Sequence, residues 1–199
     1  MIQQPPQEKG PFRASDLVDL APLGFRLDIR YATTNNFVGK VVYSHAKAYL
    51  QRPAAEALVR AAARLAPLGL GLLVYDGYRP WHVTLEFWQV TPDPLKIFLA
   101  NPDEGSKHNR GCAVDLGMYR LDTGEYVEFP SDFDEMTERS FSDYAGATSE
   151  QANNRKLLRE ALEAEGFAVH PHEWWHFDYK EWPHYAIQNI SFESLEIRA

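Results

Sequence analysis

Three strand-like runs, Leu70–Tyr75 (LGLLVY), Cys112–Tyr119 (CAVDLGMY) and Trp174–Tyr179 (WWHFDY), lie far apart in this chain. They can share a sheet only through long connections, and the segments between them read as helices. Arg52–Leu65 is the clearest of these, with Pro53 in its first turn and Leu58, Ala61, Ala62 and Leu65 at helical spacing. Pro80–Val90 reads as a second helix with Pro80 at its first position. Ser149–Glu165 reads as a third, opened by Ser149 and closed by Gly166. Leu27–Ala32 (LDIRYA) alternates and reads as a further strand, and Asp122–Thr123–Gly124 as a hairpin turn. The expected fold class is α+β: a small, mostly antiparallel sheet flanked by helices, with the functional site at the sheet.

The chain's 199 residues favour one domain, expected over 15–199 after a disordered lead over 1–14. A formal charge of −8 without any Lys/Arg-rich run argues against nucleic acid as a partner. No apolar run approaches the ~20 residues of a membrane span. Met1–Gly10 has no apolar core like that of a signal peptide, so a cytoplasmic place is expected. Export remains the alternative if Met1 stands where a signal was removed. Cys112 is the only cysteine and cannot form an internal disulfide.

Asp115 carries the sharpest chemical signal. Val114 and Leu116 flank it inside an apolar strand, and they point to the other face by alternation. A carboxylate placed there is costly unless it is paired or binds a metal. His108 ends the polar loop before it, and Glu173-Trp174-Trp175-His176 follows later. Two His and one Asp suit zinc, and three protein ligands leave an open position, the mark of a catalytic site. Glu173 then fits a non-ligand base for the attacking water. Each residue alone has a plainer reading: a packed histidine, a buried acceptor, a surface acid. Together, S-x-H-x-x-G-x-A-x-D with a later E-x-W-H is specific. Cys112, three residues before Asp115, is expected to face away from the ligands. His170 and His172 read as surface residues, and one of Trp174 and Trp175 is expected to wall the site.

The pattern resembles the D-Ala-D-Ala dipeptidases of the VanX type, within a zinc peptidase group that includes peptidoglycan D,D-carboxypeptidases and endopeptidases. Tyr31-Ala32-Thr33 with Asn36-Phe37, Asp76-Gly77-Tyr78-Arg79-Pro80, the His108 motif, Phe133-Asp134-Glu135-Met136 and the Glu173 motif carry it. The resemblance covers roughly Leu27 to Phe192. It implies one zinc held by His108, Asp115 and His176, with Glu173 as the catalytic base and Arg79 stabilising the oxyanion. It implies further that Ser106 and Tyr43 serve the substrate carboxylate, and Asp134 the substrate amine. Asp76, grouped with these, is placed to orient Arg79 by a charge-assisted hydrogen bond. The implied reaction is zinc-dependent hydrolysis of a small dipeptide, D-Ala-D-Ala, to two D-alanines. The implied role lies in cell-wall metabolism, as glycopeptide resistance or dipeptide recycling. A polymer-acting D,D-carboxypeptidase or endopeptidase is the first alternative, and an inactive zinc-stabilised binding module the second.

Overall fold

A computed structural model describes residues 4–197. Its centre is a five-stranded sheet of β2 (Arg26–Leu27), β4 (Leu70–Asp76), β5 (Ala113–Arg120), β6 (Phe167–His170) and β7 (Glu173–Tyr179). The order is β2-β4-β5-β7-β6, and only β2 and β4 run parallel. A small antiparallel pair, β1 (Leu17–Asp19) and β3 (Tyr49–Gln51), stands beside it. The expected α+β class, with a mostly antiparallel sheet, is what forms.

The helices α1 (Arg52–Leu65) and α3 (Ser149–Glu163) pack on one another beside the sheet. α1 buries Ala54, Leu58, Ala61 and Leu65 along one stripe. Each buried leucine stabilises the fold by roughly 1.5–3 kcal/mol. α3 begins at Ser149 as expected, but its cap is the preceding Thr148, in a capping box with Gln151. α2 (Trp81–Val90) follows Pro80, which caps it from outside instead of opening it. α4 (Phe192–Glu196) ends the described chain. No helix among the described residues is long and apolar enough to cross a membrane.

Three sequence expectations need correction. The strand over Leu27–Ala32 does not form beyond Leu27, and Arg30–Ala32 is a 3-10 turn instead. That turn puts Tyr31 in the core at 1% exposure. Its carbonyl accepts from the amides of Val42 and Tyr43, so the following loop folds back over this edge. Second, β1, β3 and β6 were not foreseen, because three or four residues give too little alternation to read. Third, part of the lead is tied down. Residues 1–3 lie outside the described residues, while 4–14 carry no helix or strand. Even so, Glu8 pairs with Arg110 at 2.6 Å and accepts from the Ile187 amide at 2.7 Å.

Candidate metal centre

Strand register builds the centre. Asp76 on β4 is the Cα partner of Asp115 on β5, and Asp115 is the partner of His176 on β7. Directly paired residues share a face of the sheet, so these three side chains stand in one row across it. Val114 and Leu116, both fully buried, take the opposite face. His108 comes from outside the sheet, on a 3-10 turn over His108–Arg110. Gly111 closes that turn at φ 68°, a left-handed conformation that suits glycine. A Cβ there would also meet Leu17 at 2.4 Å.

The ligand atoms converge. Asp115 Oδ1 lies 3.3 Å from His108 Nε2 and 3.0 Å from His176 Nδ1. The two imidazole nitrogens are 3.1 Å apart. A tetrahedral ion with bonds of ~2.0–2.1 Å needs ligand atoms ~3.3 Å apart, so the triangle is close to that size. The other nitrogen of each ring is already committed. His108 Nδ1–H donates to the Gly77 carbonyl at 2.6 Å, and His176 Nε2–H donates to Asp178 Oδ1 at 2.9 Å. These bonds fix the tautomers and turn the free lone pairs toward Asp115. Asp115 Oδ1 is buried without a hydrogen-bond partner. An orphaned carboxylate oxygen facing two available lone pairs is the arrangement a cation completes, so the residues present fit a zinc ion. His108, Asp115 and His176 are also the one group of metal-ligating side chains found among the described residues.

Gly77 is required for this geometry. A Cβ on it would stand 2.6 Å from the Tyr49 carbonyl, which accepts from the Tyr78 amide. Only glycine lets the turn after β4 press that closely and offer its carbonyl to His108. The same turn presents Arg79, whose Nε donates to Asp76 Oδ2 at 2.9 Å. Its second nitrogen lies 3.5 Å from Asp115 Oδ2, and its guanidinium stands over the rings of Phe87 and Tyr31 at 5.0 and 5.4 Å. Asn109 links this turn to the next loop: it donates to the Arg79 carbonyl and accepts from the Ser106 amide.

A cavity of about 340 Å³ opens over the centre. His108, Asp115, His176, Glu173, Arg79, Ser106 and Asp134 all line it. Glu173 Oε2 stands 3.8 Å from His176 Nδ1, and burial pushes its carboxyl up to about 7. Strict alternation would put residues three apart on opposite faces. The register between β6 and β7 breaks at Val169–His170, beside Glu173, and such breaks re-aim side chains. Asp134 adopts φ 64°, which aspartate tolerates better than most residues. Its Oδ1 accepts from Tyr31 Oη at 3.0 Å, while its Oδ2 is buried without a partner. Burial drives this carboxyl well above the usual range.

Two expected substrate residues are not at the cavity. Tyr43 is 2% exposed, and its hydroxyl donates to both oxygens of Asp76 at 3.0 Å. Asp76 is 1% exposed and is held from behind by Tyr43 and the Gly77 amide. Both lie behind Arg79, so neither touches a ligand in the cavity. Cys112 is fully buried and outside the cavity lining, with its thiol pushed up to about 12 by burial.

Three residues at the centre, Tyr31, His170 and Asp178, escaped sequence reading, and the choice left open between Trp174 and Trp175 is resolved. Tyr31 lines the cavity and holds Asp134. Of the adjacent pair, Trp175 is the one that lines the cavity, and it packs edge-on to Phe133. Trp174 instead stacks on Phe129 at 3.9 Å and donates to Ser131. His170, read as a surface residue, lines the cavity with Nδ1 3.7 Å from Glu173 Oε2. Asp178 could have been found, because it lies two residues after His176 on one strand face.

A buried His-Asp-His centre at one end of an α+β sheet, beside a carboxylate and a guanidinium, defines a metal-dependent hydrolase site. A family model described as D-ala-D-ala dipeptidase, Peptidase_M15, matches residues 13–194. The chain belongs to this family and is a metallopeptidase. It is 33% identical over 175 residues to a D-alanyl-D-alanine dipeptidase of Escherichia coli, spanning 87% of this chain and 89% of that protein. It is 37% identical over 179 residues to one of Enterococcus faecium, spanning 81% and 89%. A third, from Streptomyces coelicolor, is 36% identical over 185 residues, spanning 84% and 92%.

Proposed function

We propose that this chain hydrolyses D-Ala-D-Ala to two D-alanines, with one zinc ion held by His108, Asp115 and His176. The observation that carries the reading is the convergence of three ligand atoms within 3.0–3.3 Å beside Glu173 and Arg79. Dipeptidase relatives aligned over most of the chain support the substrate. Zinc bound there supplies a Lewis acid and lowers the pKa of water toward ~7.

The chain's own residues do the rest. Glu173 takes the proton of the attacking water and later delivers it to the leaving amine. A carboxylate beside the attacking water, its proton affinity raised by burial, is suited to both transfers. Arg79, fixed by Asp76 and backed by two aromatic rings, faces the oxyanion as charge develops on it. A donor fixed beforehand stabilises the transition state more than the ground-state carbonyl. Asp134 takes the substrate ammonium, which supplies the counter-charge its buried Oδ2 lacks. Ser106 serves the substrate carboxylate. Gripping both ends of a zwitterion favours free dipeptides over polymer stems. Tyr43 and Asp76 act through Arg79. We propose the cytoplasm as the place of action, where dipeptide precursors are made.

Kinetics on D,D-, L,D- and L,L-dipeptides and on a muropeptide ending in D-Ala-D-Ala test this. Rapid chelator-sensitive cleavage of D-Ala-D-Ala is expected. Cleavage of the muropeptide alone would instead indicate a carboxypeptidase.

A further inference from the structure

A second cavity, of about 510 Å³, adjoins the first and shares Phe37, Asp134 and Met136 with it. Its remaining wall is Val38, Lys40, Val90, Thr91, Pro92 and Leu95, with the Lys40 ammonium paired to Glu86 at 2.7 Å. It is therefore mainly apolar. Two buried polar atoms in its lining lack hydrogen-bond partners: Asp134 Oδ2 and Thr91 Oγ1. Buried polar groups are ordinarily satisfied, so a ligand with a cationic group and an apolar body fits both features.

We infer that this second cavity receives the side chain of the substrate's amino-terminal residue, so that the enzyme accepts D,D-dipeptides whose first residue is larger than alanine. The inference rests on the reading of Asp134 as the ammonium site. In an α-amino acid the ammonium and the side chain leave the same carbon. Its Cβ therefore stands about 2.5 Å from the ammonium nitrogen. A side chain that begins beside Asp134 meets the cavity that Asp134 lines. D-Alanine leaves this space unfilled. An unbranched side chain such as that of D-methionine extends into it and removes apolar surface from water. The carboxyl-terminal residue lies on the Ser106 side of the centre, so its enlargement gains nothing from this cavity.

The test compares D-Ala-D-Ala, D-Met-D-Ala and D-Ala-D-Met on the zinc-loaded full chain. Two variants fill the second cavity from different elements: Val90→Trp, at a position 51% exposed, and Val38→Trp. The expected kcat/KM for D-Met-D-Ala lies within about tenfold of that for D-Ala-D-Ala, and filling the pocket lowers it by about 10–200-fold. D-Ala-D-Ala turnover, unchanged within about twofold, doubles as the folding control. Val38→Trp decides the matter should Val90→Trp lower both activities. Wild-type cleavage of D-Ala-D-Ala with a loss above about 100-fold on D-Met-D-Ala overturns this inference alone. So does a D-Met-D-Ala rate that neither tryptophan changes. Failure to cleave any of the three dipeptides overturns the dipeptidase reading and this inference with it.

Discussion

Asp178 Oδ1 stands 2.9 Å from His176 Nε2 and so leaves Nδ1 of that ring free to face Asp115. Lys107 Nζ lies 3.5 Å from the other Asp178 oxygen, so the carboxylate is itself held. Asp178→Asn keeps the shape but removes the charge that raises the imidazole's basicity. Zinc affinity is expected to fall about 10–100-fold. Competition against a fluorescent chelator measures it; unchanged affinity would mean that Asp178 does not tune the ligand.

Arg79→Lys keeps a positive charge but loses the planar fork that Asp76 holds through two nitrogens. The expected result is a fall in kcat of about 10²–10³ with little change in KM. Steady-state kinetics on D-Ala-D-Ala separates the two. A rise in KM alone would place Arg79 on the ground-state substrate instead.

Tyr31→Phe removes the hydroxyl that donates to Asp134 at 3.0 Å. A hydrogen bond to a charged group is worth about 1.5–3 kcal/mol, so kcat/KM should drop by about 10–100-fold. The zinc content of the purified variant should match that of the wild type. A loss of zinc would assign Tyr31 to the metal centre.

The two tryptophans should separate function from stability. Trp174 stacks on Phe129 and donates to Ser131, away from the cavity. Trp174→Phe should cost about 1–2 kcal/mol in chemical denaturation and leave kcat intact. Trp175→Ala, at the cavity wall, should lower kcat/KM. Equal effects of both changes on activity would contradict this division.

The capping box of α3 gives a test remote from the site. Thr148→Ala removes the acceptor for the Gln151 amide and should cost about 1 kcal/mol of stability with no change in kcat/KM. Thermal unfolding of the zinc-loaded protein measures it.

Much of the centre was legible because its chemistry conflicts with its surroundings. Asp115 lies in an apolar strand, and only pairing or metal binding makes that tolerable. α1 was readable to the residue because its apolar spacing spans fourteen residues. Leu27–Ala32 misled because alternation over six residues also suits a turn that buries Tyr31. The places of His170, Trp175 and Glu173 depend on a register break between β6 and β7, which pairing sets and composition does not. Tyr43 shows the limit of motif transfer: its position suggested substrate contact, but packing puts its hydroxyl on Asp76, one step behind Arg79.

The central claim is that Glu173 is the proton carrier for hydrolysis at the His108-Asp115-His176 centre. Release of D-alanine from D-Ala-D-Ala by zinc-loaded Glu173→Ala, with metal content determined on the same sample, tests it most directly. The account predicts one zinc per chain in the variant and a rate reduced by about 10²–10⁴-fold. A variant that keeps its zinc and hydrolyses the dipeptide at the wild-type rate would contradict it.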